Sequence, residues 1–276
     1  MFWKRAISAI LLIPVVIFLV WWGGNLYSAL IVLVTALMLI EFCQLSHSIG
    51  ARGSRILVIV SGLLFCFSAI ESIDFRISVQ LALTLTLFLA FAYHIFHNQA
   101  NAAFLSVAST LLGAVYIGWA FGYHLIALRD LGNAAGKPIG SGLIFFLLVV
   151  AWCGDTAAYL LGKRFGKHKL RPHISPGKTI EGTIAGLGFG VLGGLGARFY
   201  LLGDVLSIPH ALLLGILLGL VSQLSDLSES LLKRSADVKD SGGLIPGHGG
   251  LLDRCDSLIF SAPMLYYYFQ YMIGDV

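Results

Sequence analysis

Residues 26–45 read LYSALIVLVTALMLIEFCQL, an apolar run that contains a single charged residue, Glu41. A helix needs about 20 mostly apolar residues to cross roughly 30 Å of hydrocarbon, so this run predicts a membrane-spanning helix. The whole chain has the same character, because 58% of its 276 residues are hydrophobic and only 12% are charged. In soluble domains, about 45–50% of the residues are hydrophobic and about 25% are charged. We therefore predict an all-α, polytopic integral membrane protein.

Eight further apolar runs of similar length bring the prediction to about nine transmembrane helices. Polar segments that contain glycine, proline or basic residues separate the longer runs. The nine predicted spans are Ala6–Trp22, Leu26–Leu45, Ile56–Ile73, Ile77–Phe96, Ala102–Leu128, Gly142–Leu161, Thr179–Leu202, Ile208–Leu232 and Leu251–Ile273.

The basic residues predict the orientation of these spans. With the N-terminus inside, 13 of the 18 lysines and arginines fall in cytoplasmic segments and four fall outside, with Arg254 assigned to neither side. Cytoplasmic loops of membrane proteins are enriched in lysine and arginine. The predicted topology is therefore N-in and C-out. It places both large polar loops, 162–178 and the loop with Lys233, Arg234 and Lys239, in the cytoplasm.

Seven acids lie within the predicted spans or at their ends. An ionised side chain costs at least about 2.5–3.5 kcal/mol at the centre of a bilayer, so an acid kept there is a functional hypothesis by default. These acids are Glu41, Asp155, Glu181, Asp226, Glu229, Asp253 and Asp256.

Asp226 and Asp253 are the acids that we expect to share a site. Asp226 lies on a polar stripe at the cytoplasmic end of the eighth span, and Asp253 shares a helix face with Asp256 at the start of the ninth. The short connection between these spans favours antiparallel neighbours. Clustered carboxylates with hydroxyls nearby, and without Cys or His partners, suit a hard cation such as Mg²⁺.

Two structural alternatives stay open at this point. Asp253 could only be favouring the positive end of its helix dipole. Asp226 could be neutralised by Lys233 or Arg254 in a purely structural pair.

Basic residues are concentrated around this acidic centre, as at a site where a metal ion and cations neutralise a polyphosphate. Two glycine pairs, Gly242–Gly243 and Gly249–Gly250, would let backbone N–H groups approach an anion closely. The alternative is an ordinary excess of positive charge on the cytoplasmic side. The candidate phosphate-binding residues are Lys178, Lys233, Arg234, Lys239, His248 and Arg254.

Four glycines recur every fourth residue in the seventh span, at Gly182, Gly186, Gly190 and Gly194. Small residues at this spacing let two membrane helices pack closely. The ladder therefore predicts close packing, either within the subunit or across a homodimer.

The run Ser230–Asp256, SLLKRSADVKDSGGLIPGHGGLLDRCD, resembles the signature of the phosphatidate cytidylyltransferases, the CDP-diacylglycerol synthases. We call it the signature segment. The upstream stretches WCGDTAAYLLGKRFGK and SPGKTIEG also look like that family. The resemblance therefore runs from about Trp152 to the C-terminus, while the first five spans match only in being hydrophobic.

The resemblance implies that CTP and phosphatidate react to CDP-diacylglycerol and pyrophosphate, with Mg²⁺ required and a second cation such as K⁺ left open. It implies a catalytic region over 141–276 with two cytoplasmic loops, and a scaffold over 1–140 for lipid access or dimer contacts. The expected location is a bacterial inner membrane with the active site facing the cytoplasm, and no nucleic acid partner is expected. The implied catalytic residues are Asp226, Lys233, Arg234, His248, Asp253 and Asp256, the substrate-binding residues are Lys178, Ser230, Lys239 and Arg254, and the metal ligands are Asp226, Asp253 and Asp256.

Two other functions stay open on sequence alone. The first is CTP-dependent nucleotidyl transfer to another membrane lipid phosphate, because the signature concerns the shared chemistry and not the lipid tails. The second is an ion-coupled secondary transporter, since intramembrane acids and glycine-interrupted helices occur there too. The acids lie at the end of a predicted membrane helix, and no paired repeat is visible in the sequence. Both observations favour the enzyme over the transporter.

Overall fold

The structure is a computed structural model that describes residues 13–51, 53–70, 77–97, 100–133, 139–243 and 249–273. Ten α-helices account for most of this chain, and short 3₁₀ or π-helical turns extend several of them. The α-helices are α1 (Ile13–Trp22), α2 (Gly24–Ser48), α3 (Arg55–Ala69), α4 (Val79–Phe96), α5 (Ala103–Gly113), α6 (His124–Asp130), α7 (Gly140–Phe165), α8 (Ile180–Ala197), α9 (Ile208–Ser235) and α10 (Leu252–Tyr268).

The helices follow the apolar runs of the sequence, and the predicted all-α membrane architecture is confirmed. Within the described residues, six helical segments are long and apolar enough to cross a membrane. Each of the nine predicted spans coincides with helix over its described part, although the first is described only from Ile13 onward. The count of nine membrane crossings stays a prediction. The six segments are Gly24–Ser48, Val79–Phe96, Ala100–Asp130, Gly140–Phe165, Ile180–Leu202 and Ile208–Ser235.

The chain divides into two compact units, and both combine segments that are distant in sequence. The first unit comprises Met1–Ala127 together with Leu232–Cys255, and the second comprises Leu128–Leu231 together with Asp256–Val276. Most of the signature segment thus folds with the N-terminal helices. The proposed division of labour between 1–140 and 141–276 stays a prediction.

The core of the first unit is formed where α3 packs against the π-helical stretch Ala114–Tyr123. A Cβ atom added to Gly118 would lie only 2.5 Å from the Cα of Gly62, so the two backbones touch at this point. The buried hydroxyl of Tyr27 in α2 donates a hydrogen bond to the Leu125 carbonyl at 3.1 Å. These contacts fix α2, which carries Glu41, against its neighbours.

The core of the second unit is the close packing of α7 on α8. All four glycines of the ladder in α8 are buried. Cβ atoms added to Gly182 and Gly186 would lie 2.7 Å from the Ala158 carbonyl and 2.8 Å from the Gly154 carbonyl of α7. The predicted close packing is therefore confirmed, and it occurs within the subunit.

Adding one methyl group to this packed face is expected to destabilise the protein. Gly186→Ala should lower the free energy of unfolding by about 1–3 kcal/mol, because the new Cβ collides with the α7 backbone. Gly188 lies on the same helix with open space around its Cα, so Gly188→Ala is a matched control that should be neutral or slightly stabilising. Melting temperatures in detergent measure both, and equal values for the two variants would contradict the packing.

The loop after α7 contains a small antiparallel hairpin, which was not predicted from the sequence. Strand β1 (Lys169–Arg171) pairs with strand β2 (Ser175–Thr179). Glu181 holds its base, because its carboxylate accepts hydrogen bonds from the backbone N–H groups of Lys167 and His168 and pairs with the His168 ring at 2.7 Å. The hairpin ends at Thr179, whose hydroxyl caps α8 by accepting from the Gly182 N–H at 3.1 Å.

Candidate active site

An ion pair between Lys178 and Asp226 is the centre of the polar cluster in the second unit. Lys178 is the penultimate residue of β2, and Asp226 lies in the last third of α9. The Lys178 Nζ is 2.7 Å from the Asp226 Oδ2, and the two side chains are 18% and 30% exposed. The Nζ atom is shielded from solvent, and beyond this ion pair it makes no hydrogen bond to the described residues.

Three more side chains surround this pair. The Ser230 hydroxyl donates a long hydrogen bond of 3.4 Å to the Asp226 Oδ1. Asp155, an exposed acid in the middle of α7, is hydrogen-bonded to the Ser257 side chain of α10 and lies within electrostatic range of Asp226 and Lys178. This cluster thus combines side chains from four elements. Helices α7, α9 and α10 supply the oxygen atoms, and strand β2 supplies the ammonium group of Lys178.

A second ion pair joins Lys233 and Asp253 in the first unit. The Lys233 Nζ donates a hydrogen bond of 2.5 Å to the Asp253 Oδ1, and the side chains are only 12% and 10% exposed. The other carboxylate oxygen of Asp253 accepts three hydrogen bonds of 2.9 Å. They come from the backbone N–H and the hydroxyl of Ser241 and from the Gly250 N–H. Asp253 therefore ties the end of α9 to the loop that precedes α10.

The same loop is held from the other side by Glu41 of α2. This carboxylate is 2% exposed. Its Oε1 accepts from the Leu251 N–H at 2.9 Å, and its Oε2 accepts from the Leu252 N–H at 2.8 Å and from the Ser241 hydroxyl at 3.1 Å. The carboxylate thus satisfies two of the backbone donors at the start of α10, which otherwise have no helical partner.

These contacts explain why the loop contains glycines. A Cβ atom on Gly250 would lie 2.5 Å from the Glu41 Oε2, and one on Gly242 would lie 2.8 Å from the Glu41 Oε1. Gly249 has a φ of 83°, which side chains disfavour. The glycine pairs were expected to let backbone N–H groups approach an anion, and in the structure Gly242 and Gly250 lie against Glu41 while Gly249 lies against Asp253.

The remaining predicted residues lie around these two clusters. Arg234 is exposed and donates a hydrogen bond of 3.0 Å to the Val238 carbonyl in its own turn. Lys239 and Arg254 are exposed, as phosphate-binding groups should be. Asp256 accepts a hydrogen bond of 2.7 Å from the Ser257 N–H through its side chain, and its carbonyl accepts one from the Ser225 hydroxyl. His248 lies outside the described residues.

The structural alternative for Asp226 named Lys233 or Arg254 as its partner, and the ion pair that the structure shows is a different one. The structure pairs Asp226 with Lys178, which stands 48 residues earlier in the chain, and pairs Lys233 with Asp253. Sequence reasoning also left Glu41, Asp155, Ser241 and Ser257 without a role. The usable signal for Glu41 and Asp155 was their isolation as acids in apolar helices.

The donor chemistry of the site fits a hard divalent cation. The polar groups around Asp226 are carboxylate and hydroxyl oxygens, which Mg²⁺ prefers over sulfur or imidazole ligands. Among the described residues, no three His, Cys, Asp or Glu side chains form a ready-made metal cluster. Ammonium groups pair with Asp226 and Asp253. A cation at Asp226 would therefore share that carboxylate with Lys178.

The chain is similar to known proteins along nearly its whole length. It matches the cytidylyltransferase family over residues 3–272. It is 37% identical to the phosphatidate cytidylyltransferase of Synechocystis sp., covering 96% of this chain and 95% of that protein. A protein of the same name from Brucella suis is 33% identical, with 95% and 91% covered, and one from Bacillus subtilis is 45% identical over 56% of this chain and 55% of its own length. The resemblance of the signature segment is confirmed, and the chain belongs to the cytidylyltransferase family.

Proposed function

We propose that the chain transfers CMP from CTP to phosphatidate and produces CDP-diacylglycerol and pyrophosphate. The observation that carries this proposal is the match to proteins named phosphatidate cytidylyltransferase over almost the entire chain. The two buried or half-buried Lys–Asp pairs support it, because they supply the fixed cations and acids that phosphoryl-transfer chemistry uses.

In the proposed reaction, an oxygen of the lipid phosphate attacks the α-phosphorus of CTP in line. The bond from that phosphorus to the bridging oxygen breaks, and pyrophosphate leaves with the electron pair. The attacking phosphate is largely ionised at neutral pH, so no strong general base is needed. Catalysis then consists mainly of positioning and of neutralising the negative charge.

The basic side chains have distinct proposed roles in that neutralisation. Lys233 is held in place by Asp253, and it would contact the nucleotide phosphates with Arg234, Lys239 and Arg254. Lys178, which pairs with Asp226, would bind a lipid or nucleotide phosphate beside that carboxylate. Ser230 and His248 would position the phosphates.

Mg²⁺ is part of this proposal, with Asp226, Asp253 and Asp256 as its ligands. When bound, it would screen the triphosphate and stabilise the charge on the leaving pyrophosphate. A second cation such as K⁺ at the same acids is a further option, and removal of divalent metal with EDTA is expected to abolish turnover.

We also propose nine crossings with N-in, C-out topology, in a bacterial inner membrane with the site facing the cytoplasm. The exposed basic residues of the hairpin loop support this orientation. CTP is a cytoplasmic solute and phosphatidate a membrane lipid, so the site has to be accessible from both. The homodimer stays a prediction, and the glycine ladder packs within the subunit. No nucleic acid partner is proposed.

An acceptor competition tests the lipid specificity. Purified protein in detergent would receive labelled CTP and Mg²⁺ with phosphatidate, and a polyprenyl phosphate would be added at increasing concentration. The proposal predicts CDP-diacylglycerol and pyrophosphate in equal amounts, with little inhibition by the competitor. Preferential formation of a CDP-polyprenyl product would assign the chain to the other lipid class.

A further inference from the structure

Glu41 is a buried acid whose described side-chain hydrogen bonds are all made with the signature segment. It lies in α2 and contacts residues 200 to 211 positions later in the chain. Both of its oxygens accept hydrogen bonds, and the donors belong to Ser241, Leu251 and Leu252. A carboxylate at 2% exposure in an apolar helix is costly unless such contacts compensate it.

The Glu41 carboxylate packs closely against the backbone of the loop. Gly242 and Gly250 bring the loop backbone so close to Glu41 that neither position has room for a Cβ atom. Ser241 connects the two acids of this unit, because its hydroxyl lies within hydrogen-bond distance of the Glu41 Oε2 at 3.1 Å and of the Asp253 Oδ2 at 2.9 Å. Glu41 therefore contacts the same loop segment that orients Asp253 and, through Asp253, the Lys233 ammonium.

We propose that Glu41 is a positioning residue of the active site, which holds Ser241 and the backbone at Leu251 and Leu252 in the geometry that the Lys233–Asp253 pair requires. Glu41 contacts no substrate in this account and acts through Ser241 and the backbone of Leu251 and Leu252. The inference rests on the proposed function for its catalytic consequence, while its structural consequence can be measured without turnover.

Two variants of Glu41 separate positioning from simple filling of space. Glu41→Gln keeps the volume but replaces one acceptor oxygen with an amide N–H₂ group, which would face the loop donors. Glu41→Asp keeps both acceptors and the charge but leaves a cavity. If Glu41 only fills space, Glu41→Gln should be the milder change. If Glu41 positions the loop, Glu41→Asp should retain more activity.

The experiment combines hydrogen exchange with kinetics on the full chain in detergent. In Glu41→Gln, we expect exchange at the Leu251 and Leu252 amides to accelerate by about tenfold or more, as for loss of a hydrogen bond to a charged group. We expect kcat to fall by about 10²-fold through misplacement of the reacting groups, with KM for CTP changed much less. Ser46→Ala in the same helix is the control, because that hydroxyl bonds only the Cys43 carbonyl of its own helix.

The possible outcomes discriminate clearly. Faster exchange confined to the loop, together with higher activity in Glu41→Asp than in Glu41→Gln, supports the proposal. Wild-type exchange at Leu251 and Leu252 in Glu41→Gln, or an activity of Glu41→Gln above that of Glu41→Asp, would overturn it. If the wild-type chain formed no CDP-lipid, the proposed function would fail, and the exchange data would still decide whether Glu41 holds the loop.

Discussion

Replacing Asp253 with asparagine is expected to reduce CMP transfer by about 10²–10³-fold, the usual effect of removing a charged group that organises a transition state. Asp253 neutralises the Lys233 ammonium at 2.5 Å and binds the Ser241 and Gly250 donors with its other oxygen. Asparagine can keep the contacts to the loop, but it removes the negative charge that lies 2.5 Å from the Lys233 ammonium. We expect this to cost about 3–5 kcal/mol of stability, because removing one partner of a poorly solvated ion pair is strongly destabilising.

A double variant tests whether the pair is more than structural. Adding Lys233→Met to Asp253→Asn removes the ammonium that has lost the Asp253 carboxylate, so the melting temperature should recover while the activity should not. Asp237→Asn is the matched control, because this exposed acid of the same loop has a φ of 54°, which asparagine tolerates well. Recovery of activity along with stability in the double variant would show that the pair only supports the fold.

The second large effect is expected at Lys178, where replacement with glutamine should lower kcat/KM by about 10²-fold or more. Lys178 pairs with Asp226 at 2.7 Å and lies within electrostatic range of Asp155. Without it, the two carboxylates lose this positive charge, and an incoming phosphate would meet a more negative environment beside Asp226.

Lys169→Gln is the control for this prediction, because Lys169 is an exposed lysine in strand β1 of the same hairpin. Initial rates with varied CTP and varied phosphatidate would show which substrate depends on Lys178. Equal kinetics for the Lys178 and Lys169 variants would mean that Lys178 contributes only general surface charge.

The helices could be predicted from the sequence because apolar runs of bilayer length have few alternatives to a helix in lipid. Residues 26–45 lie entirely within α2 (Gly24–Ser48), and the ninth predicted span, Leu251–Ile273, begins one residue before α10. The close packing at the glycine ladder could also be predicted from the sequence. The period of the ladder fixes one helix face, and that face packs against Gly154 and Ala158.

The partners of the charged residues could not be predicted in the same way. Helical periodicity places Asp226 on a face with Lys233, yet the hairpin brings Lys178 to it instead. That hairpin depends on Glu181 binding backbone groups 13 and 14 residues earlier, and apolar periodicity does not encode this contact. The partners of Glu41 were even harder to predict, because they follow about 200 residues later in the chain.

The most direct test of the central claim follows the phosphorus atoms of CTP. Purified protein in detergent would be given phosphatidate, Mg²⁺ and CTP labelled with ³²P at either the α or the γ position. The account predicts that the α label enters the lipid fraction and that the γ label appears only in pyrophosphate, with both signals lost in Asp253→Asn. Transfer of the γ label to lipid, or CTP binding without label in any lipid, would contradict it.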